Sequence, residues 1–233
     1  MIKNRFIFAL KFLLKVALVF FIFTVAWVIL YAFVNPPISG MMVYKKLTEE
    51  QYDYVQTWVD LDQIDPSIPL AFMAAEDQLF FEHNGLDFKA IVEARKHNKN
   101  SKHLRGASTI SQQLAKNLFL IPSKTYLRKA LEVYFTTLME LFWSKCRIME
   151  LYLNMVELGP GVYGVEEAAV RYFKLPAAKV GIEQASLMAT ALPNPIKFQL
   201  SAPSIYMRKR QKWVKRQMRN LGGTAVFTTA CGE

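Results

Sequence analysis

The sequence predicts a mainly α-helical protein, with one transmembrane helix ahead of a single folded domain. Apolar residues recur every three to four positions through most of the chain, whereas strictly alternating runs rich in Val, Ile and Thr are scarce. One long uncharged run, residues 16–34, lies near the N-terminus. The chain has 233 residues, 52% of them hydrophobic, which is enough for one domain with a sizeable core.

The uncharged run, VALVFFIFTVAWVILYAFV, would form a helix about 28 Å long, close to the thickness of the hydrocarbon core of a bilayer. Residues 1–15 contain Lys3, Arg5, Lys11 and Lys15 but no acid, so the positive-inside rule keeps this end in the cytoplasm and exports the domain. The alternatives are a cleaved signal peptide and a buried core helix. Because the run is long, lacks an A-x-A cleavage pattern and has charge on one flank only, we predict a retained single-pass anchor.

After the anchor, the breaker cluster NPPISG opens a predicted linker and membrane-proximal segment, residues 35–65. Residues 66–220 form the predicted folded domain and residues 221–233 a C-terminal tail. Helices are predicted over residues 68–81, 87–97, 109–118, 124–155, 164–173, 183–191 and 203–220. One disulfide between Cys146 and Cys231 is an option in an exported domain, but two cysteines make no framework, so we expect two unpaired thiols.

The chain is basic, with a formal net charge of +10. The first 34 residues hold four basic residues and no acid, so the rest of the chain keeps a net charge of +6. The last predicted helix is the most basic, with seven basic residues in RKRQKWVKRQMR, residues 208–219. Such a surface favours anionic lipid headgroups, a phosphate-bearing substrate or nucleic acid, and export of the domain argues against nucleic acid.

Two adjacent acids, Glu76 and Asp77, interrupt the apolar stretch AFMAAEDQLFF. If this stretch is helical, apolar residues stand one turn before and one turn after Glu76: Phe72, Met73, Leu79 and Phe80. Desolvation there would raise the pKa of the Glu76 carboxyl toward the range of a general base. Asp77 projects about 100° further around the helix, so the two acids would serve different roles. The alternative is a solvated pair of surface acids.

The stretch GASTISQQLAKN, residues 106–117, has the signature of a helix start, because Thr109 and Gln112 stand three apart as in a capping box. On the helix that follows, Gln113, Lys116 and Asn117 share one face. A helix N-terminus favours an anion, so this stretch is suited to gripping a phosphate or a sugar. A well-capped surface helix is the alternative.

In YLRKALEVYF, residues 126–135, Arg128 and Glu132 are i, i+4 partners and Lys129 stands beside Arg128. An ordinary helix ion pair would stabilise the helix by about 0.3–0.5 kcal/mol. The alternative is an acid placed beside two cations, forming a corner that binds an anion or a metal ion.

These stretches, in this order, resemble the motifs of the peptidoglycan glycosyltransferase family, whose members have a lysozyme-like, all-α domain. The resemblance covers residues 66–220 and rests on EDQLFFEHNG, GASTISQQLAKN, RKALE, KCRIMELYLNMVELGPGVYGVEEAA and RQKWVKRQM. It implies polymerisation of lipid II into β(1→4)-linked glycan, with inversion and release of polyprenyl diphosphate. The chain has no S-x-x-K and no K-T-G motif, which points to a monofunctional enzyme without transpeptidase activity.

The resemblance also implies roles for individual residues. Glu76 matches the catalytic general base, and Glu132 matches a second catalytic Glu that acts through Arg128, through a divalent metal or on the reacting centre itself. Lys116, Arg128 and Lys129 would face the pyrophosphate. The other residues implied to line the substrate cleft are Asp77, Phe80, His83, Thr109, Gln112, Gln113 and Asn117. Leu79 stands where a polar or basic residue is common in the family, and the fourth motif, with Lys145, Tyr152 and Asn154, is interpreted as mostly architectural.

The sequence requires no cofactor, although Mg²⁺ or Mn²⁺ is an option at the pyrophosphate. The implied partners are lipid II, membrane lipids and other cell-wall synthesis proteins, and the implied location is the bacterial plasma (inner) membrane with the catalytic domain on its outer, periplasmic side. Two rival interpretations are a lytic transglycosylase or lysozyme-like hydrolase, and a membrane-anchored scaffold that binds wall polymer.

Overall fold

The computed structural model of the protein describes residues 2–49, 53–101 and 106–232. The mainly α prediction is confirmed, and only short strands accompany the helices within these residues. The helices are α1 (Ile2–Phe33), α2 (Gly40–Thr48), α3 (Ser67–Glu76), α4 (Phe88–Asn100), α5 (Ile110–Phe119), α6 (Tyr126–Phe142), α7 (Lys145–Met155), α8 (Val165–Phe173), α9 (Ile182–Ala189), α10 (Ile205–Asn220) and α11 (Ala225–Cys231). Two 3₁₀ turns, Leu61–Gln63 and Ala177–Lys179, and three strands, β1 (Val55–Gln56), β2 (Glu157–Gly159) and β3 (Val162–Tyr163), connect them.

The small sheet ties the N-terminal part of the domain to its centre. Its strand order is β1-β3-β2, with β1 parallel to β3 and β2 antiparallel to it. Gly161 lies in the β2–β3 turn with φ +69°, and a Cβ there would come within 2.3 Å of the Asp53 carbonyl oxygen, so the turn requires glycine. Beside the sheet, the Asn154 side chain accepts a hydrogen bond from Val59 N and donates one to Val59 O, both 2.9 Å.

Helix α3 is the centre of the core. It is buried on all sides from Ser67 to Ala74, packs on α9 and α10, and meets Tyr152 of α7 edge-on through Phe72. A short helix that is apolar all round is stable only inside a domain, where its neighbours exclude water from every face. Helix α5 packs on α6 and α7. The end of α3 and one face of α5 are therefore held in fixed positions.

The predicted helix 68–81 is wrong at its C-terminal end, because α3 stops at Glu76. Asp77 has φ −157° and ψ 79°, and its carboxylate accepts a hydrogen bond from the backbone of Ile110, which turns the chain out of the helix. Leu79 and Phe80 thus do not follow Glu76 on one helical face. The predicted helix 124–155 is wrong as a single element, because Trp143 is extended and the Ser144 side chain caps a new helix.

The expectation of two unpaired thiols is also wrong, since Cys146 and Cys231 form a disulfide with a Cα–Cα distance of 5.6 Å. The bond joins the first turn of α7 to the end of α11, a helix that the sequence did not predict. Phe227 of α11 is buried and lies against Phe81, with ring centroids 6.1 Å apart. The predicted tail is consequently fastened to the domain at two points.

The predicted transmembrane helix is confirmed as one continuous helix, and its segment Ile7–Phe33 is long and apolar enough to cross a membrane. Its C-terminal half packs against the domain. The hydroxyl groups of Thr24 and Tyr134 share a hydrogen bond of 2.7 Å, and Trp143 Nε1 donates to the Val28 carbonyl at 2.8 Å. The anchor therefore continues into the domain core.

The predicted linker, residues 35–65, contains α2 and β1 and contributes to the core. Met42, Val59 and Ile64 are buried in it. Lys45 on α2 forms an ion pair with Glu157 on β2 at 2.7 Å. This segment is part of the fold, and it does not act as a free tether in the part of the chain that the structure describes.

Candidate active site

A groove of about 770 Å³ lies at the C-terminal end of α3. Its lining includes Glu76, Asp77, Ser108, Thr109, Gln113 and Arg210. Several parts of the chain meet there: the end of α3, the start of α4, the stretch before α5 with the first turn of α5, the loop after α9, and the inner face of α10. Leu79 also lines the groove, as an apolar side chain that is 39% exposed.

Glu76 is the last residue of α3 and is held from one side. The Gln113 amide Nε2 donates to Glu76 Oε2 at 2.8 Å, and the Tyr152 hydroxyl donates to Gln113 Oε1 at 2.9 Å. Tyr152 is fully buried, so it fixes the orientation of the amide and presents the amide NH₂ to the carboxylate. Glu76 Oε1 makes no hydrogen bond within the described residues and is left for a ligand in the groove.

Burial raises the pKa of the Glu76 carboxyl above its usual range. The hydrogen bond from Gln113 and the charges of Arg210 and Lys116 oppose this shift, while the Asp77 charge adds to it. The net effect is a raised pKa. A carboxylate of this kind is a stronger base than a solvated one.

Asp77 serves the structure of the groove. Its Oδ2 accepts from Ile110 N at 3.0 Å, and its Oδ1 pairs with His83 Nε2 at 2.9 Å. His83 Nδ1 accepts from Gly85 N at 3.1 Å, so a neutral His83 carries its proton on Nε2 and donates it to Asp77. Both oxygens of Asp77 are engaged, and the residue locks the end of α3 against the start of α5.

The capping box predicted at the start of α5 is present. The Thr109 hydroxyl accepts from Gln112 N and Gln112 Oε1 accepts from Thr109 N, both at 3.1 Å. The Thr109 hydroxyl also donates to the Gly85 carbonyl at 2.6 Å. Thr109 and Gln112 are buried, so they shape the wall of the groove, and Thr109 reaches its surface.

Phe80 and His83, which the resemblance places at the substrate cleft, lie behind that wall and are not among the residues that line the groove. Phe80 is fully buried, with the Lys145 ammonium 4.7 Å from its ring centroid. His83 is directed at Asp77. The cause is the early end of α3, after which residues 77–85 form a loop that turns the side chains of Phe80 and His83 inward.

Arg128, Lys129 and Glu132 form a compact cluster on the first two turns of α6. The Arg128 guanidinium donates to Glu132 Oε2 at 2.5 Å, and the Lys129 ammonium pairs with Glu132 Oε1. Glu132 is buried, whereas Lys129 is nearly half exposed. Glu132 therefore holds two cations in place, and both of its carboxylate oxygens are occupied.

A metal ion at Glu132 would find few further protein ligands. Among the residues that the structure describes, no group of three or more His, Cys, Asp or Glu side chains could hold a metal ion. An ion bound there would have to replace one of the two cations and draw its other ligands from a phosphate group and water.

Lys116 lies on α5 between the two acids. The pKa of its ammonium is lowered, mainly by burial. The charges of Arg128 and Lys129 lower it further, whereas those of Glu132 and Glu76 oppose the shift. Lys116 forms no ion pair within the described parts of the chain, and neither Lys116 nor its neighbour Asn117, which is partly buried, makes a side-chain hydrogen bond there. One face of α5 thus links Glu76 to the cluster on α6.

A second cavity, of about 560 Å³, adjoins the groove. Ala107 and Ser108 line both cavities, and Gln112 and Lys129 line the second one. The space beside Glu76 therefore extends toward the exposed cation of the cluster.

Three residues of this site have no ligand-binding or positioning role predicted from the motifs: Arg210, Trp213 and Tyr152. Arg210 donates to the Ala75 carbonyl at 3.1 Å, stacks on Trp213 at 3.9 Å from the ring centroid, and places its charge near Glu76. In a run of seven basic residues, the signal was the tryptophan three positions on, which marks the face of α10 that turns inward. Tyr152, interpreted as architectural, positions Gln113.

The chain is similar to known proteins along most of its length. A family model described as Transglycosylase matches residues 43–219. Three relatives are named biosynthetic peptidoglycan transglycosylase. The protein from Aeromonas hydrophila is 47% identical over 89% of each chain; that from Bdellovibrio bacteriovorus is 49% identical over 87% of this chain and 82% of its own; and that from Shewanella oneidensis is 45% identical over 90% of this chain and 91% of its own. This chain belongs to the transglycosylase family.

Proposed function

We propose that the protein is a membrane-anchored peptidoglycan glycosyltransferase that polymerises lipid II without transpeptidase activity. The observation that carries the proposal is the placement of a half-buried carboxylate, Glu76, in a groove that Gln113 of α5 also lines, near enough to Lys116 of the same helix for the two charges to interact. The names and similarity of the relatives support a biosynthetic reaction.

In the proposed reaction, Glu76 takes the proton of the acceptor sugar's 4-hydroxyl as that oxygen attacks the anomeric carbon of the donor. The bond from the anomeric carbon to the diphosphate oxygen breaks, and its electron pair leaves with polyprenyl diphosphate. Attack opposite the leaving group inverts the anomeric centre and gives the β(1→4) bond. Gln113 and Tyr152 support the base by keeping one carboxylate oxygen bonded and the other directed to the groove.

The leaving group needs positive charge more than it needs an acid, because a diphosphate departs readily when its charge is stabilised. Lys116, Arg128 and Lys129 supply that charge, and Glu132 keeps two of them in position. Mg²⁺ or Mn²⁺, if present, would be held by Glu132 and would supply Lewis-acid stabilisation of the diphosphate oxygens.

A glycan hydrolase is the second candidate, since it would use a comparable groove and a carboxyl group with a raised pKa. Its leaving group is a neutral sugar, which gives no reason to gather three cations beside the catalytic acid. A scaffold gives no reason for the desolvated carboxylate. The cations therefore favour synthesis over cleavage.

We infer an inner-membrane location with the domain on the periplasmic side. The support is the basic flank of the anchor, Arg5, Lys11 and Lys15, which would stay in the cytoplasm. The docked anchor keeps the groove close to the bilayer, where a lipid-linked substrate resides. Other cell-wall synthesis proteins are the proposed partners, and nucleic acid is not among them.

Incubation of the full chain in detergent with labelled lipid II tests the proposal. We expect a ladder of glycan polymers on a gel that collapses when a muramidase is added. Absence of polymer, or shortening of preformed glycan by the protein alone, would contradict the proposal and favour the scaffold or the hydrolase.

A further inference from the structure

Helix α10 carries an exposed row of positive charge that the proposed chemistry does not use. We name it the basic stripe and define it by its residues: Arg208, Lys209, Lys212, Arg216 and Arg219. All five are exposed, and at 100° per residue they fall within an arc of about 100° around the helix. The other two basic residues of α10 are engaged, since Arg210 lines the groove and Lys215, at the edge of this arc, pairs with Glu183.

The positive charge of the basic stripe is not balanced by acidic side chains of the same helix. Helix α10 contains no acid, and none of the five residues forms an ion pair with the described parts of the chain. Arg208, Lys212 and Arg216 are spaced four apart, which places like charges on neighbouring turns, where they repel one another. These charges are therefore available to a ligand outside the chain.

The basic stripe borders the groove. Trp213 and Arg210 line the groove from the same helix, and Trp213 lies only about 40° from Lys209 around the axis. A polymer lying in the groove with side groups directed outward would bring those groups to the stripe. The substrate of the proposed function is such a molecule, because each disaccharide carries a peptide that ends in a carboxylate.

We propose that the basic stripe binds the carboxylates of the peptides borne by the substrate and the growing glycan. This inference rests on the proposed function and extends it to the part of the substrate outside the groove. An anionic membrane surface is the rival ligand. A membrane-surface helix needs an apolar face along its length beside its cations, whereas the exposed large apolar side chains of α10, Ile205 and Tyr206, are confined to its first turn.

The test compares the full chain with the double variant Lys212→Gln/Arg216→Gln in neutral detergent. Lipid II is used in two forms, one with free peptide carboxylates and one with those carboxylates converted to amides. We expect the variant to raise KM about five-fold for the free-carboxylate form, with kcat unchanged, and to leave KM for the amide form at the wild-type value. The control variant Lys174→Gln/Lys179→Gln removes two exposed cations outside the groove lining and should change neither KM.

Equal KM values for wild type and variant on the free-carboxylate form would overturn the inference, as would an equal rise on both forms. A difference that arises only when phosphatidylglycerol is added to the micelles would assign the stripe to the membrane and also overturn it. Failure of the proposed function has a separate signature, since the wild-type protein would then polymerise neither form.

Discussion

The Glu76 carboxylate is one end of a chain of hydrogen bonds that runs from Tyr152 through Gln113 to the groove. Each member has one role: the phenol fixes the amide, and the amide holds one oxygen of the base. Burial makes the arrangement costly to disturb, because a buried acceptor that loses its donor remains unsatisfied.

Replacing Tyr152 with Phe tests this chain of contacts. The variant leaves Gln113 Oε1 without its donor, which lowers the free energy of unfolding by about 1–3 kcal/mol. The loss also lets the amide rotate away from Glu76. We expect kcat for glycan synthesis to fall about ten-fold while KM stays near the wild-type value. Tyr206→Phe removes a partly exposed phenol of α10 and serves as the control. An unchanged kcat in Tyr152→Phe would show that the amide needs no support.

The pH dependence follows from the raised pKa of Glu76. The reactive form is the carboxylate, so the rate of polymerisation should fall as the pH drops through that pKa. This fall, the acid limb of the pH–rate profile, should lie at a higher pH than the usual pKa of a glutamate would give. Lys116→Met removes a cation that lowers the Glu76 pKa, so the limb should move to still higher pH. Initial rates of polymerisation, measured from pH 4 to 9 for the wild type and the variant, check both expectations. An acid limb at the same pH in the two proteins would show that the Lys116 charge does not influence the Glu76 pKa.

At the scale of elements, the sequence predicts a helix boundary correctly where contacts between neighbouring residues determine it. The capping box of α5 was readable because Thr109 and Gln112 satisfy each other within one turn. The end of α3 could not be predicted from local sequence, because it depends on the hydrogen bond that Ile110 N donates to the Asp77 carboxylate, 33 residues away. The break at Ser144 had a local signal, a serine able to cap, which the apolar periodicity on both sides obscured.

The disulfide belongs to the same scale, since its formation depends on α11 folding back onto α7, which no spacing of two cysteines reveals. Closing a loop of 85 residues is expected to stabilise the fold by about 2–4 kcal/mol. Cys231→Ser should therefore lower Tm by about 5–15 °C in detergent, with synthesis at 25 °C retained. Dithiothreitol should lower the wild-type Tm by the same amount and leave the variant unchanged. A variant as stable as the wild type would contradict the stabilising role.

At the scale of the whole molecule, the anchor and the domain form one body along the second half of α1. Val28 is fully buried, and its carbonyl receives the Trp143 indole N–H. The Arg147 guanidinium donates to the Tyr31 and Val34 carbonyls at the end of the same helix. The sequence predicted the span from charge and length, but which residues of the span face protein depends on α6 and α7.

Deletion of residues 1–34 should therefore weaken the domain itself. We expect the truncated chain to show a Tm several degrees lower in detergent and a lower rate on micellar lipid II, because Trp143 and Tyr134 lose their partners. Replacing the apolar residues among 8–18 with leucine is the matched control, since all of these residues are exposed. Equal Tm values for the full and truncated chains would mean that the anchor is a tether only.

The central claim concerns one carboxylate, and Glu76→Gln tests it most directly. The amide keeps the size of the side chain but takes no proton, so we expect polymerisation of lipid II to fall at least about 100-fold. Because the folded state favours the neutral form of Glu76, the variant should have a Tm equal to or above that of the wild type. Glu82→Gln, at an exposed acid of the same motif, should keep full activity. A folded Glu76→Gln protein that polymerises lipid II at the wild-type rate would contradict the account.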